Sequence, residues 1–542
     1  MYSPGWRAAR PANDVDTIPS YAPGTRRREE LLDELSAVRS ETHAVPLIID
    51  GEEREGEDMH KIRCPHDASY TLAEVQLAGP KQLGEAVESS LEAWRAWSEE
   101  DWYHRVSVFT RAADMLAGPL RTRSIAEIMV NHSKNPYEAE IDLAELVDFL
   151  RLNAYYVGFI YGWQPDQYPG EGNRFDWRPL EGFVLAIPPF NFYSIGGNLP
   201  TAPAIVGNVS IWKPARAVAY SNYGFMRALM GAGLPPGVIN FVPFEGRHSG
   251  LLLSHKRLAG LHFTGSYKTL VGLQKSIAGS LGVNLGFPRI VGEAGGKGFI
   301  FAHSSAEPKS LVAALLRGAY GYQGQKCSAC SRAYVPRGLW GEVKPMLIEA
   351  VSSIPVGRVE ELGNYMGAMI DEEAFKKAVE YIDYADARPG EYTILVGGGH
   401  DSASGWFVEP TLVETSDPRG RLMSEEIFGP VLTVYAYPDS EYSETLRVCD
   451  STSPYALTGA VMANDRVAIA EAEKILRFSA GNFYINDKPT GAVVGRQPFG
   501  GSRASGTDDK AGSWLNLLRW LAPRTIKETT LPPTEWRHSF MG

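Results

Sequence analysis

Cysteine is scarce: 542 residues hold only Cys64, Cys327, Cys330 and Cys449, too few for a disulfide framework and in keeping with a reducing compartment. No run of 18 apolar residues occurs, so no membrane-spanning helix is expected. Basic charge is also short. The net charge is −11, and the one compact basic run, Arg26-Arg27-Arg28, is followed at once by Glu29-Glu30, which disfavours nucleic-acid binding. The N-terminus lacks the apolar core of a signal peptide, and Asp14 and Asp16 interrupt the faint likeness to a transit peptide. A cytoplasmic protein is therefore expected, or a mitochondrial matrix protein in a eukaryote. Two phosphate signatures are missing as well. After Gly265 the next glycine is Gly272, so there is no G-x-G-x-x-G, and Gly292–Lys297 is one residue short of a Walker loop.

The chain is 44% hydrophobic, enough for two or three domains. Residues 1–25, rich in Pro and polar groups, read as an extended arm on the surface, followed by a charged helix around Arg28–Arg39. Pro46–Glu52 reads as strand and turn, and Cys64-Pro65 as the start of another extended stretch. Apolar residues at three- and four-residue spacing predict helices from Pro80, then over Val106–Leu120, Ser124–Asn131 and Glu138–Tyr161. After a polar ribbon or linker at Tyr168–Pro179, strands and helices alternate. Strands are expected at Phe183–Ile187, Val209–Trp212, Val238–Val242, Leu258–Phe263 and Arg289–Val291, and helices at Gly197–Val206, Tyr220–Ala232 and Thr269–Leu281. Such alternation means a parallel sheet covered on both faces, a frame for dinucleotides. A second α/β series follows Cys330, with helices at Leu339–Ser353 and Glu373–Arg388 and strands near 393–399 and at Phe407–Leu412; Leu515–Lys527 turns toward a strand.

Two Gly-rich turns carry the candidate chemistry: Gly292-Glu293-Ala294-Gly295-Gly296-Lys297 and Gly324-Gln325-Lys326-Cys327-Ser328-Ala329-Cys330. A helix expected at Ser310–Tyr320 would run out into Gly321 and Gly324 and leave Cys327 on a loop. A thiol there attacks a carbonyl, and a carboxylate brings water to the resulting thioester. Lys326 and local N–H groups are the expected source of the positive field that a thiolate needs. On its own the cysteine reads more readily as a small buried hydrophobe. Cys327 and Cys330 also form a C-x-x-C pair, but a zinc site lacks further ligands, so no metal is expected, and the pair follows a helix, unlike a thioredoxin motif.

These turns, with Glu425-Glu426-Ile427-Phe428-Gly429-Pro430-Val431 and Pro498-Phe499-Gly500-Gly501 in the same order, resemble the aldehyde dehydrogenase superfamily. The resemblance implies an α/β aldehyde dehydrogenase fold with a Rossmann-like cofactor domain (46–167 and 183–294), an α/β catalytic domain (295–496) and a small β oligomerisation flap with the tail (168–182 and 497–542), preceded by an arm and helix (1–45). A homodimer or larger homo-oligomer is implied too. It makes Cys327 the nucleophile, Glu293 the base for water, and Asn191 an oxyanion donor beside the Cys327 N–H. Phe263-Thr264-Gly265-Ser266 matches the family's single-glycine cofactor turn, so Gly265 and Ser266 fall on the cofactor, with Pro189. Lys213 falls on the adenosine ribose, and Glu426 and Phe428 on the nicotinamide ribose and ring. NAD is expected, with NADP left open because Arg216 stands where many NAD-preferring members are acidic.

The stretches Phe190-Asn191-Phe192, Ile195–Leu199, Cys327–Arg332 and Asn482–Lys488 are similar to the 1-pyrroline-5-carboxylate (L-glutamate γ-semialdehyde) dehydrogenase subfamily. That likeness implies oxidation of L-glutamate γ-semialdehyde to glutamate in proline catabolism. Gly491 and Ala492 would bind the α-carboxylate through backbone N–H groups, Phe192 and Phe499 would flank the aliphatic part, and Ser328 would meet the other end. Tyr193 and Asn131–Asn135 depart from the subfamily and leave open a related amino-acid semialdehyde. A coenzyme A-acylating enzyme is disfavoured by Glu293, and a non-catalytic relative by the intact Cys327, Glu293 and Asn191.

Overall fold

The computed structural model describes residues 9–542, so the first eight positions of the expected arm lie outside the described residues. Two seven-stranded sheets organise the chain. In the first, five short runs rich in β-branched and aromatic residues pair in parallel, in the order Arg289–Glu293, Leu258–Thr264, Phe183–Ile187, Val209–Trp212, Ile239–Phe241. Leu47–Ile49 and Glu52–Arg54 extend that edge antiparallel. Chain order reverses between Phe183–Ile187 and Leu258–Thr264, which creates a switch point with a crevice beyond the strand carboxyl ends.

The second sheet runs Tyr392–Val396, Thr411–Thr415, Val431–Tyr437, Cys330–Pro336, Gly298–Ala302, Thr458–Met462, Asn482–Ile485, parallel except for the first strand. Helix Pro308–Tyr320 packs Leu311, Leu315 and Ala319 into its core; each fully buried leucine contributes roughly 1.5–3 kcal/mol. That packing fixes the point from which the Cys327 loop departs.

Several expected elements shift for local reasons. Cys64 ends the strand Asp58–Cys64 rather than starting one, and the next strand begins at Asp67. The strand expected over Phe407–Leu412 is split into Phe407–Val408 and Thr411–Thr415, because Pro410 has no N–H for a ladder. The helix expected from Gly197 starts four residues earlier, at Tyr193, since the Asp142 carboxylate accepts the N–H groups of Tyr193 and Ser194 at 2.8 and 2.9 Å. Near the C-terminus a short helix, Trp514–Leu518, precedes the strand Leu521–Thr529.

That last strand pairs antiparallel with Glu171–Pro179 along nine residues, from Leu521 opposite Pro179 to Thr529 opposite Glu171. The ribbon is confined to these segments. Residues 499–511 instead return to the strand end at Glu293, through bridges Glu293–Gly506 and Phe499–Ala511. Among the described residues no helix is long and apolar enough to cross a membrane.

Candidate active site

The loop that carries Cys327 is held in a demanding conformation. Tyr322 and Gln323 both adopt left-handed backbone (φ 51° and 54°), which costs energy for non-glycine residues and persists only where neighbours enforce it. The Gln323 side chain donates to the carbonyls of Ser133 at 2.9 Å and Ala368 at 2.8 Å. Gly324, also left-handed at φ 66°, has no room for a side chain, because a Cβ would sit 2.3 Å from the Gly429 carbonyl oxygen.

Cys327 lies part-buried on a cavity of about 520 Å³, together with Phe192, Glu293, Ser328, Gly491, Ala492 and Phe499. Seven residues singled out in the sequence thus share one wall system. Cys330 turns away into the core of the second sheet, so the two sulfurs of the C-x-x-C face different surroundings and both are free.

The electropositive setting expected from Lys326 is not formed. Its ammonium pairs with both oxygens of Glu138, at 2.7 and 2.9 Å, because the helix Pro136–Tyr161 brings that acid alongside. Burial instead pushes the Cys327 thiol up to about 12, and Glu426 and Glu293 add to the shift; its own N–H and that of Ser328 act the other way.

Glu293 ends the strand Arg289–Glu293. Its Oε2 accepts the Gly501 N–H at 3.0 Å, and Cβ atoms at Gly500 and Gly506 would come 3.0 and 3.1 Å from its oxygens. The Phe-Gly-Gly turn is therefore shaped around this carboxyl. Burial raises its pKa well above the ordinary value, with Asp508 and Asp509 adding to the rise against the Gly501 N–H. Asn191 is buried and its Nδ2 donates to the Gln325 carbonyl at 3.1 Å, two residues before Cys327.

The cofactor-side residues lie along the carboxyl ends of the first sheet. Pro189 follows the strand Phe183–Ile187, Lys213 follows Val209–Trp212, and Gly265 and Ser266 follow Leu258–Thr264, so Pro189 and the Gly265 turn flank the switch point. Ser266 caps the helix Tyr267–Gly279, accepting the Thr269 N–H at 3.2 Å, and leaves that helix's N-terminus open to a phosphate. Lys213 sits 5.3 Å from the Phe244 ring. Burial first, then Arg216, lowers its pKa to about 8. A part-buried ammonium with no carboxylate in salt-bridge contact among the described residues suits a hydroxyl-rich group such as ribose. Glu426 accepts the Gly296 N–H at 2.8 Å. Phe428 stands edge-on to Phe190, with ring centroids 5.7 Å apart. These residues fit a dinucleotide.

On the same cavity, Gly491 (φ 87°) and Ala492 donate their N–H groups to no acceptor among the described residues. Phe499 is pinned by a mutual backbone pair with Ala511 at 2.9 and 2.8 Å.

Three contributors to this site escape sequence reading. Val15 of the arm lines the cavity. Lys134, noted only as part of a departure from the subfamily, is wholly buried, 2.5 Å from Asp142, with its ammonium 4.7 Å from the Phe192 ring and 4.4 Å from the Tyr322 ring. Glu138 takes the charge of Lys326. No local signal marks the buried lysine, because Asp142 is one of several acids on its helix, among them Glu138, Glu140, Glu145 and Asp148.

A part-buried thiol and a carboxyl on one cavity, beside a crevice for a dinucleotide, are the working parts of aldehyde oxidation through a thioester. In agreement, residues 52–525 match the model described as "Aldehyde dehydrogenase family", and the chain belongs to that family. Among curated proteins, the chain is 47% identical over 527 residues to the mitochondrial delta-1-pyrroline-5-carboxylate dehydrogenase of Dictyostelium discoideum (96% of this chain, 94% of the relative). It is 44% identical over 529 residues to that of Homo sapiens (97% and 94%). The solved delta-pyrroline-5-carboxylate dehydrogenase of Mycobacterium tuberculosis, bound with NAD, superposes with a TM-score of 0.95 at 46% identity, covering 99% of both chains. The likeness to the 1-pyrroline-5-carboxylate dehydrogenase subfamily therefore runs along nearly the whole length.

Proposed function

We propose that this chain catalyses the NAD-dependent oxidation of L-glutamate γ-semialdehyde, the open form of 1-pyrroline-5-carboxylate, to L-glutamate. The observation that carries this reading is the cavity shared by Cys327, Glu293 and the two unpartnered N–H groups of Gly491 and Ala492. Close relatives carry the name of that activity along nearly their full length.

In this reading the α-carboxylate rests on the Gly491 and Ala492 N–H groups, Phe192 and Phe499 enclose the aliphatic chain, and Ser328 lies near the other end. The Cys327 sulfur adds to the aldehyde carbon, and the Asn191 amide and Cys327 N–H take up the oxyanion. NAD, when bound, supplies the hydride acceptor, and Lys213, Gly265, Ser266, Pro189, Glu426 and Phe428 would hold it. A thioester to Cys327 then remains. Glu293 draws a proton from water, the hydroxide adds to the acyl carbon, the C–S bond breaks, and the carboxylate leaves as the sulfur is freed. Because burial holds the thiol near 12, thiolate is a minor species in the free protein, and carbonyl capture speeds up as pH rises.

The ribbon of residues 171–179 and 521–529 supports a homodimer or larger homo-oligomer, since it stands apart from both main sheets. The working compartment is the cytoplasm, or the mitochondrial matrix in a eukaryotic source.

The test is NADH formation across a panel of aldehydes. Glutamate semialdehyde is expected to exceed propanal and hexanal by roughly 10²-fold in kcat/KM, and Cys327→Ala to lose all turnover. Failure of the wild-type protein to reduce NAD with glutamate semialdehyde would overturn the assignment.

A further inference from the structure

The N-terminal arm is more than a surface segment. Asn13 is only 2% exposed, unusual for a polar residue so near a chain end. Its Nδ2 donates both to the Asp148 carboxylate at 3.1 Å and to the Val494 carbonyl at 2.9 Å, and its Oδ1 accepts from Arg10 at 3.0 Å. Asp148 belongs to the long helix Pro136–Tyr161 and also accepts the Asp14 N–H at 2.6 Å. On the other side, Asp16 pairs with Arg496 at 3.0 Å. Contacts from Asn13, Asp14 and Asp16 of the arm thus tie the loop 490–497 to the helix Pro136–Tyr161.

That loop needs an external tie. It has no regular secondary structure, contains Gly491 and Gly495 at positive φ (87° and 75°), and glycine turns have many conformations to lose. Its own bonds are few: Val493 N–H to the Gln497 side chain at 2.9 Å, Arg496 and Gln497 N–H to the Val493 carbonyl, and Gly495 N–H to the Gly512 carbonyl at 3.1 Å. The Val494 carbonyl lies two residues beyond Ala492, so fixing it fixes where the free N–H groups stand. A displacement of about 1 Å at a positioning group is enough to cost catalysis up to 10²-fold.

We propose that Asn13 is a positioning residue for substrate recognition: by bridging Asp148 and the Val494 carbonyl, the arm holds the Gly491–Ala492 N–H pair where a substrate carboxylate binds. This rests on the assignment of that pair to the substrate carboxylate made above. Aldehydes without a carboxylate do not use the pair and should be indifferent to the arm.

The experiment compares the full-length wild type with Asn13→Ala. For glutamate semialdehyde, the KM of the variant is expected to rise roughly tenfold with a smaller change in kcat, while kcat/KM for propanal stays within about twofold. In parallel, hydrogen exchange is expected to accelerate at the amides of residues 490–497 and not along 136–161. An unchanged semialdehyde KM, or an equal loss with propanal, overturns the proposal. If the wild type does not oxidise glutamate semialdehyde at all, the substrate assignment fails, and unchanged exchange at 490–497 then separately rejects the tie through Asn13.

Discussion

The Glu293 carboxyl and the Gly501 N–H are joined by a 3.0 Å hydrogen bond. This links the end of a strand in the nucleotide-binding sheet to a turn encoded more than 200 positions later. Burial lifts the pKa of Glu293 well above the ordinary carboxylate range, so the group is protonated at acid pH and becomes an effective base only as pH rises through the raised value. Steady-state turnover should climb with pH on that limb. In Glu293→Gln, a single-turnover burst of NADH should persist while steady-state turnover drops by roughly 10²–10⁴-fold and loses the limb. Stopped-flow absorbance of NADH separates the two phases, and full turnover by the variant would reject Glu293 as the base.

The cofactor preference has an equally local handle. Arg216, whose position left NADP open, is bound by Glu245 at 2.6 Å, beside the strand end that presents Lys213. With its guanidinium engaged, Arg216 is not free for a 2′-phosphate. Glu245→Gln should release it and tighten binding of NADP, and of adenosine 2′,5′-bisphosphate, by about tenfold, with NAD affinity changed by less than about threefold. Titration calorimetry with the three ligands reads this directly. No gain for the phosphorylated ligands would show that Arg216 lies outside the ribose subsite.

Lys134 and Asp142 form a fully buried ion pair, their side chains 0% and 1% exposed. Replacing Lys134 with Met leaves the Asp142 charge with only the Tyr193 and Ser194 N–H groups. Breaking such a pair from one side costs about 3–5 kcal/mol. Urea unfolding at pH 7 should show a loss of that size, and a loss under about 1 kcal/mol would mean that Asp142 finds a new partner at little cost.

What the sequence disclosed and what it hid divide along range. Phe183–Ile187 and Val209–Trp212 were legible because short apolar runs between turn residues have few other uses, and Cys327 with Glu293 were legible because their flanking glycines mark turns. Distant partners were not. Lys326 looked like the source of a positive field until folding brought Glu138 beside it from 188 positions away. The Tyr193 helix start depends on Asp142, 51 positions upstream, so local propensity placed it too late. Asn13 reads as an ordinary residue of a polar arm, because its partner Val494 lies 481 positions on.

The Phe-Gly-Gly turn around Glu293 and the strand Leu521–Thr529 both come from the last tenth of the chain. A nascent polypeptide that has emerged only as far as Asn482 already possesses its sulfur and its carboxyl, yet lacks the peptide N–H that cradles the acid. Translation itself therefore delays the birth of a competent reaction chamber until the Phe499–Gly501 turn has been made, and termination before it would release a protein with its nucleophile present and its hydrolytic half unassembled.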